Sequence, residues 1–506
     1  MKTIFKAVAV VTIFSVITRL LGFFFRIFLS RKLGAEGLGI YQMATSVLGI
    51  FLTLISSGIP LTTAKLVSKY ETKNDIVNRN KVVTSALIVA LSIAVLSSVL
   101  IVALKSVWNI ILTDNRAVEI MIILIPSIIF SAVYAIFHGA LWGQNDYFSC
   151  GLTELLEQII RFALTFIFLY NLSDYFLATK YTAIAFNIAC LLSAIITMAI
   201  YLRRGKLNFK RGEYIELIKG SAPVTGIRIA SSLVQPLTTL IIPTMLILAG
   251  YTQSEAIASF GVIMGMTFPM LFVPMSIVGS ISMVLIPTIS SMMSKKDYSS
   301  ISTNISNSIN ISIFISMLFI PLYLSVGDLI GIILYNNSFS GILLQLSSVC
   351  VLPITMCNLT GSILNALNLE SKSFFNYIVG SFVLFACLIA LTPLIGVNSI
   401  IVAFFVSMTL ISLLNIRKIK KSVPNLELNF VLTSFKYSLI IIPSSLIGHF
   451  ISNICLHLFN NFFSAVIGGG FSMLLVVLLS KMFNIFNWKD LLLLISKRKK
   501  PSSSAT

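Results

Sequence analysis

Fourteen predominantly apolar stretches run through this chain, at about 8–29, 39–59, 82–104, 117–141, 150–170, 181–202, 221–249, 257–287, 306–331, 340–364, 374–392, 396–415, 433–456 and 462–482. Each is near the length of about 20 residues that a helix needs to cross the hydrocarbon of a bilayer. With 57% hydrophobic and 10% charged residues and a mean hydropathy of +0.98, no soluble arrangement could hide so much apolar surface. The expected fold class is an all-α polytopic membrane protein of about 14 transmembrane helices.

A formal charge of +19 suggests nucleic acid until the basic residues are placed on this topology. Most of the 36 lysines and arginines then fall on one side, in the clusters 65–81, 203–219, 295–296, 417–436 and 481–500. The other side holds only Arg31, Lys32, Lys105, Arg116 and Lys180, while Arg19, Arg26, Arg161 and Arg228 remain inside the apolar stretches. The positive-inside rule puts both termini in the cytoplasm of a bacterial cytoplasmic membrane protein. An even number of helices agrees with that. The excess charge reads as an orientation signal and as contact with anionic membrane lipids, with no nucleic-acid partner expected. The end of the chain, 486–506, reads as a basic cytoplasmic tail.

The six cysteines (150, 190, 350, 357, 387 and 455) lie in or beside apolar stretches without CxxC spacing, so free thiols are expected. Although Lys2 and Lys6 precede the first stretch, its internal arginines and the following Arg31-Lys32 argue against a cleaved signal.

Landmarks recur at nearly one offset. Ile59-Pro60 pairs with Ile286-Pro287, Pro126 with Pro353, and Ala140-Leu141 with Ala366-Leu367. The chain therefore reads as two pseudo-symmetric six-helix halves and a final pair: 1–205 (helices 1–6), 206–420 (helices 7–12) and 421–485 (helices 13–14). Six helices preserve orientation, so the halves are parallel repeats, which place a substrate site at their shared interface. Prolines 223, 236, 243, 269 and 274 interrupt the seventh and eighth stretches. They are either tolerated bends or hinges.

Chemistry is concentrated in a few charged positions. On the first helix Thr12, Ser15, Arg19, Gly22 and Arg26 step by threes and fours, a polar stripe on an apolar rod. A charge at the bilayer centre costs about 2.5–3.5 kcal/mol on insertion scales, so such a stripe should face a wet cavity or an anion. Arg19 is too deep to reach an interface; Arg26, near the outer end, can snorkel. The seventh stretch carries its own stripe, Ser221, Thr225, Arg228, Ser232, Gln235 and Thr239. On the fifth, Glu154, Glu157, Gln158 and Arg161 follow one another, with Glu157 and Arg161 in the favourable i,i+4 order. That pair either neutralises itself or brings Arg161 into the cationic site, with Glu157 orienting it or carrying a proton. The three histidines (138, 449 and 457) read as packing or interface residues. Glu36, Asp114 and Glu119 read as solvated acids on the outer side.

No nucleophile elbow, HExxH, P-loop or dinucleotide fingerprint is present, so neither catalytic residues nor a metal or cofactor is expected. A membrane-embedded glycosyltransferase would want an acidic base near an outer loop, and only the isolated outer acids offer one.

Three segments carry a family resemblance: TRLLGFFFRIFLSRKLGAEGLGIYQM (18–43), SGIP (57–60), and HGALWGQNDYF (138–148) followed by EQIIR (157–161). Together they resemble the stage V sporulation protein B branch of the polysaccharide-exporter flippases, relatives of the lipid II flippases and, more distantly, of the multidrug and toxin extrusion transporters. The resemblance implies two six-helix lobes in a V around a central cavity, with helices 13 and 14 adding a groove for a polyprenyl tail. It implies a flippase for undecaprenyl-pyrophosphate-linked oligosaccharide, foremost the lipid II-like peptidoglycan precursor, serving the spore cortex in sporulating bacteria. Arg19 matches an arginine that lipid II flippases carry in the first helix, and Arg26 falls near their second. Ile27 stands where those flippases have an aspartate, and 39–59 contains none of their second-helix arginine.

Guanidinium groups bind pyrophosphate bidentately and keep their charge at low dielectric. Arg19, Arg228, Arg161 and Arg26 are the expected head-group ligands, supported by Glu157 and Gln158, with Thr12, Ser15, Ser232 and Gln235 bonding sugar or peptide groups. A monomer is expected. The competing readings are a cation-coupled multidrug antiporter, which needs deep carboxylates that the first helix lacks, and a non-transporting membrane scaffold.

Overall fold

The computed structural model describes residues 2–203, 205–209, 214–424, 426 and 430–486; for 2–10, 12, 222–224, 227, 284 and 430–432 it describes the backbone alone. The described residues form helices and turns, without strands. Inside a membrane each backbone donor and acceptor must be satisfied within its own segment, and a helix does this.

The chain divides into two compact units, Met1–Gly265 and Met266–Thr506. The first contains α1 (Lys2–Ser56), α2 (Gly58–Glu71), α3 (Ile76–Ala103), α4 (Lys105–Ile111), α5 (Asn115–Gly143), α6 (Tyr147–Leu169), α7 (Tyr175–Leu202), α8 (Tyr214–Ser232), α9 (Val234–Leu248) and α10 (Gln253–Phe260). Its centre is α5, packed against α1, α2, α3 and α7. The second contains α11 (Phe268–Ser294), α12 (Tyr298–Tyr335), α13 (Ser338–Ser347), α14 (Val351–Ala366), α15 (Glu370–Ile395), α16 (Asn398–Ser422), α17 (Phe430–Leu456) and α18 (Asn461–Met482). There α12 packs against α11, α13, α14, α17 and α18. The helices α8 to α10 pack on α1 and α2 within the first unit. The division into 1–205, 206–420 and 421–485 thus follows the repeat, not the packing, and stands as a proposal.

Twelve stretches of the described residues are long and apolar enough to cross a membrane. The first of them, Ile13–Glu71, is 59 residues long and breaks within α1 at Gly34 (φ 66°, ψ −175°). A non-glycine residue pays heavily in that region of backbone space, and glycine does not. Unbroken, the 55 residues of α1 would run about 80 Å at 1.5 Å per residue, far beyond a bilayer of about 30 Å. Gly34 therefore divides it into two passes. The 23-residue α6 stands outside the twelve because it carries Glu154, Glu157 and Arg161. Counting both arms of the first stretch and α6 gives the fourteen passes expected from hydropathy.

Proline accounts for several interruptions. The helices α8 and α9 part at Leu233, three residues before Pro236, whose missing N–H cannot bond the Ser232 carbonyl. A π turn at Gly261–Thr267 precedes Pro269, and a 3₁₀ turn at Ser348–Cys350 precedes Pro353. By contrast α5 continues through Pro126 and α11 through Pro274 and Pro287.

One tight turn recurs at corresponding places in the sequence. Asn74, Asn145, Lys296 and Asn368 are left-handed (φ 53°, 60°, 57° and 59°). In each case the next residue's N–H reaches back five residues to close the preceding helix: Asp75 to Tyr70, Asp146 to Leu141, Asp297 to Met292 and Leu369 to Leu364, at 2.8–3.1 Å. Three of these residues then cap the next helix, Asp75 accepting from the Asn78 amide (3.0 Å), Asp146 from Ser149 (3.2 Å) and Asp297 from Ser300 (3.1 Å).

Candidate functional site

All the charged residues expected at the site lie on helices of the first unit: Arg19 and Arg26 on α1, Glu157 and Arg161 on α6, and Arg228 on α8. The N-terminal arm of α1 shows three faces. One packs on α6, with Phe14 edge-on to Phe148 (5.6 Å) and Phe25 and Phe28 against Phe162 (5.8 and 5.7 Å). A second exposes Ile13, Val16, Ile17, Leu20 and Phe24, as a lipid-facing side should. The third is the polar stripe. Arg19 is exposed, Ser15 and Arg26 are half-buried, and beside Gly22 there is open space. The arginines therefore share neither the packed side nor the apolar one. The side chain of Thr12 lies outside the described residues.

On α6, Glu157 and Arg161 form the i,i+4 ion pair, with side chains only 17% and 18% exposed. The Arg161 guanidinium also lies over the Phe186 ring of α7, 4.8 Å from its centroid, while its Nε is buried without a partner. Cation–π contact and a single carboxylate leave donors of this group unused. Arg161 and Arg26 both act electrostatically on the Tyr41 hydroxyl, on the second arm of α1. Glu154, one turn before Glu157, feels the charges of Glu157 and Arg19. Three of the four arginines thus share one electrostatic neighbourhood. Gln158 beside them is half-buried.

Arg228 reaches the unit by another route. The helix carrying it, α8, approaches α2 so closely that a Cβ on Gly58 would sit 2.3 Å from the Ser221 carbonyl oxygen, and a rim ion pair joins Lys69 to Glu216 at 3.4 Å. Arg228 and Gln235 are exposed and Ser232 is half-buried. The Ser232 hydroxyl donates to the Ile229 carbonyl (2.9 Å), which leaves its oxygen as an acceptor. Among the described residues neither Arg19 nor Arg228 has an ion-pair partner. Among the described residues no hydrogen bond or ion pair joins Arg228 to Arg19 or Arg161; α8 and α9 pack on α1.

Contrary to expectation, Glu36, Asp114 and Glu119 are not solvated singletons. Glu36 accepts from Arg116 Nη2 (2.6 Å), and Asp114 accepts from the same nitrogen (2.7 Å) and from the Arg116 amide (2.7 Å). Asp114 is 3% exposed, because it caps α5 while holding the guanidinium. Glu119 pairs with Lys180 at 2.6 Å. These partners lie far apart in sequence, apart from Asp114 and Arg116, so no spacing rule exposes them. His138 joins an aromatic stack on α5, and His449 Nδ1 lies 2.9 Å from the Ser325 carbonyl oxygen. All six cysteines are free thiols.

Known proteins share this architecture. The family model described as polysaccharide biosynthesis protein matches residues 4–293. Stage V sporulation protein B of Bacillus subtilis (strain 168) is 23% identical over 438 residues, covering 84% of this chain and 85% of that protein. Lipid II flippase MurJ of the same strain is 21% identical over 410 residues, covering 73% and 74%. A solved structure of lipid II flippase MurJ in an inward closed conformation aligns with a TM-score of 0.71 over 95% of this chain and 99% of that one, at 14% identity. At that identity the alignment speaks for the fold alone, a multi-pass helical one. With more than half of its length matched by one family model, this chain belongs to the polysaccharide biosynthesis protein family.

Proposed function

We propose that the chain is a flippase that moves an undecaprenyl-pyrophosphate-linked oligosaccharide, foremost the lipid II-like peptidoglycan precursor, across the bacterial cytoplasmic membrane by alternating access. It works as a monomer with both termini in the cytoplasm, where its basic clusters contact anionic lipids. The names of its relatives support the substrate class, and that of stage V sporulation protein B supports a role in sporulation, for which the spore cortex is the proposed product.

The observation that carries this reading is the pair Arg19 and Arg228, two exposed guanidinium groups on helices of one unit that form no ion pair among the described residues. Each costs about 2.5–3.5 kcal/mol to hold in hydrocarbon without compensation, and a ligand bearing two or more negative charges would supply it. Arg161 adds a third cation whose Glu157 partner leaves donors free, and Arg26 adds a fourth nearer the outer end. Ser15, Gln158, Ser232 and Gln235, with Thr12, would bond the sugar or peptide. A cation-coupled drug antiporter fits less well, since the first helix carries no acid and Glu157 is engaged by Arg161.

Rescue of a strain depleted of its lipid II flippase tests this reading. Wild-type protein should restore growth, and Arg19→Ala with Arg228→Ala should abolish it at equal expression. Full rescue by that double variant would make the assignment wrong.

A further inference from the structure

The segment His138–Phe148 carries part of the family resemblance but takes no part in the cationic site. Tyr134, His138 and Trp142 are spaced by four on α5 and share one face. Tyr134 and His138 stack with centroids 5.3 Å apart and planes at 30°, and His138 and Trp142 continue the stack at 6.3 Å and 32°. Just past the end of α5, Tyr147 meets Trp142 at 5.3 Å and 88°, so two rings form a corner. The ladder spans about 12 Å along the helix. At its inner end the Tyr134 hydroxyl lies in the field of Glu157, the partner of Arg161, and of Glu154. At its other end Trp142 is 43% exposed.

With 43% of its surface open and a second ring at a right angle beside it, the Trp142 indole is free to stack on a further ring. A right-angled pair of rings offers π surface that suits the C–H faces of a pyranose. We propose that Trp142 and Tyr147, backed by His138 and Tyr134, form a carbohydrate subsite that stacks a pyranose ring of the lipid-linked glycan. This rests on the flippase reading and adds to it a place for the sugar, separate from the cations that would hold the pyrophosphate.

Two lipids separate the two ideas: undecaprenyl pyrophosphate, which lacks sugar, and the same lipid bearing a disaccharide. The wild-type protein in detergent should bind the disaccharide lipid more tightly by about tenfold, the scale of 1.4 kcal/mol. Trp142→Ala should reduce that preference to about twofold or less while leaving undecaprenyl pyrophosphate binding unchanged. With Trp108 and Trp488 replaced by Phe, the emission of Trp142 should shift with the disaccharide lipid and not with the bare one, a readout that needs no Trp142 variant. An unchanged preference in Trp142→Ala, an equal loss for both lipids, or an emission that ignores the sugar would overturn the subsite and spare the flippase reading. Failure of both lipids to bind wild-type protein would overturn both.

Discussion

The Arg116 guanidinium binds Glu36 Oε1 at 2.6 Å, joining the start of the second arm of α1, just past the Gly34 break, to the first turn of α5. The Asp114 carboxylate completes the clamp with bonds of 2.7–3.2 Å to the same residue, and Tyr175 adds a contact from α7 at 3.4 Å. Glu36→Gln should cost about 1–3 kcal/mol, the range for spoiling a charge-assisted bond in a partly buried setting. Gly34→Ala should cost a similar amount, about 1–3 kcal/mol, because its φ of 66° with an extended ψ is essentially glycine-only. Thermal unfolding of the detergent-solubilised variants measures both, and unchanged melting would show that the break is held by other means.

The Glu157–Arg161 pair separates structure from function. Arg161→Ala leaves a carboxylate 17% exposed with no cation and should cost about 2–3 kcal/mol, below the cost for a fully buried pair. The exchanged variant Glu157→Arg with Arg161→Glu restores the pair but moves the cation by about 6 Å along the helix. It should regain most of the stability and little of the transport. Recovery of transport together with stability would mean that Arg161 only neutralises Glu157.

Acid should weaken two of the turns between helices in a defined direction. At Asp75 the Asn78 backbone amide, then its side chain, holds the carboxyl below the ordinary 3.8. At Asp297 the Ser300 side chain, then its amide, does the same. A carboxyl whose folded pKa is depressed adds stability at pH above its unfolded value and loses it as pH falls through the lowered one. Wild-type protein should therefore lose melting temperature more steeply between about pH 5 and pH 3 than Asp75→Asn with Asp297→Asn, which cannot titrate. Equal slopes would contradict the capping role.

How much of this is legible in the sequence depends on the range of the interaction. Hydropathy exposes the passes because burial in lipid is written into consecutive residues, and α6 was legible even though Glu154, Glu157 and Arg161 dilute its apolar character. The pairing of Glu157 with Arg161 follows from helical spacing. The clamp of Arg116 on Glu36 does not, since eighty residues separate them and only packing brings α1 to α5. Gly34 reads in sequence as one more glycine in a loop, and its backbone break appears only when two long passes must be joined without a spacer. The ladder on α5 lay open at Tyr134, His138 and Trp142, yet spacing alone does not separate a packed histidine from a stacked one.

Translocation in proteoliposomes tests the central claim most directly. Liposomes holding the purified wild-type protein should move a fluorescent undecaprenyl-pyrophosphate-linked disaccharide between leaflets faster than empty liposomes. Arg19→Ala with Arg228→Ala should slow that movement at least about tenfold, the loss of about 1.4 kcal/mol of stabilisation. Efflux of a cationic dye without lipid movement, or lipid movement that is unchanged in the double variant, would contradict the account.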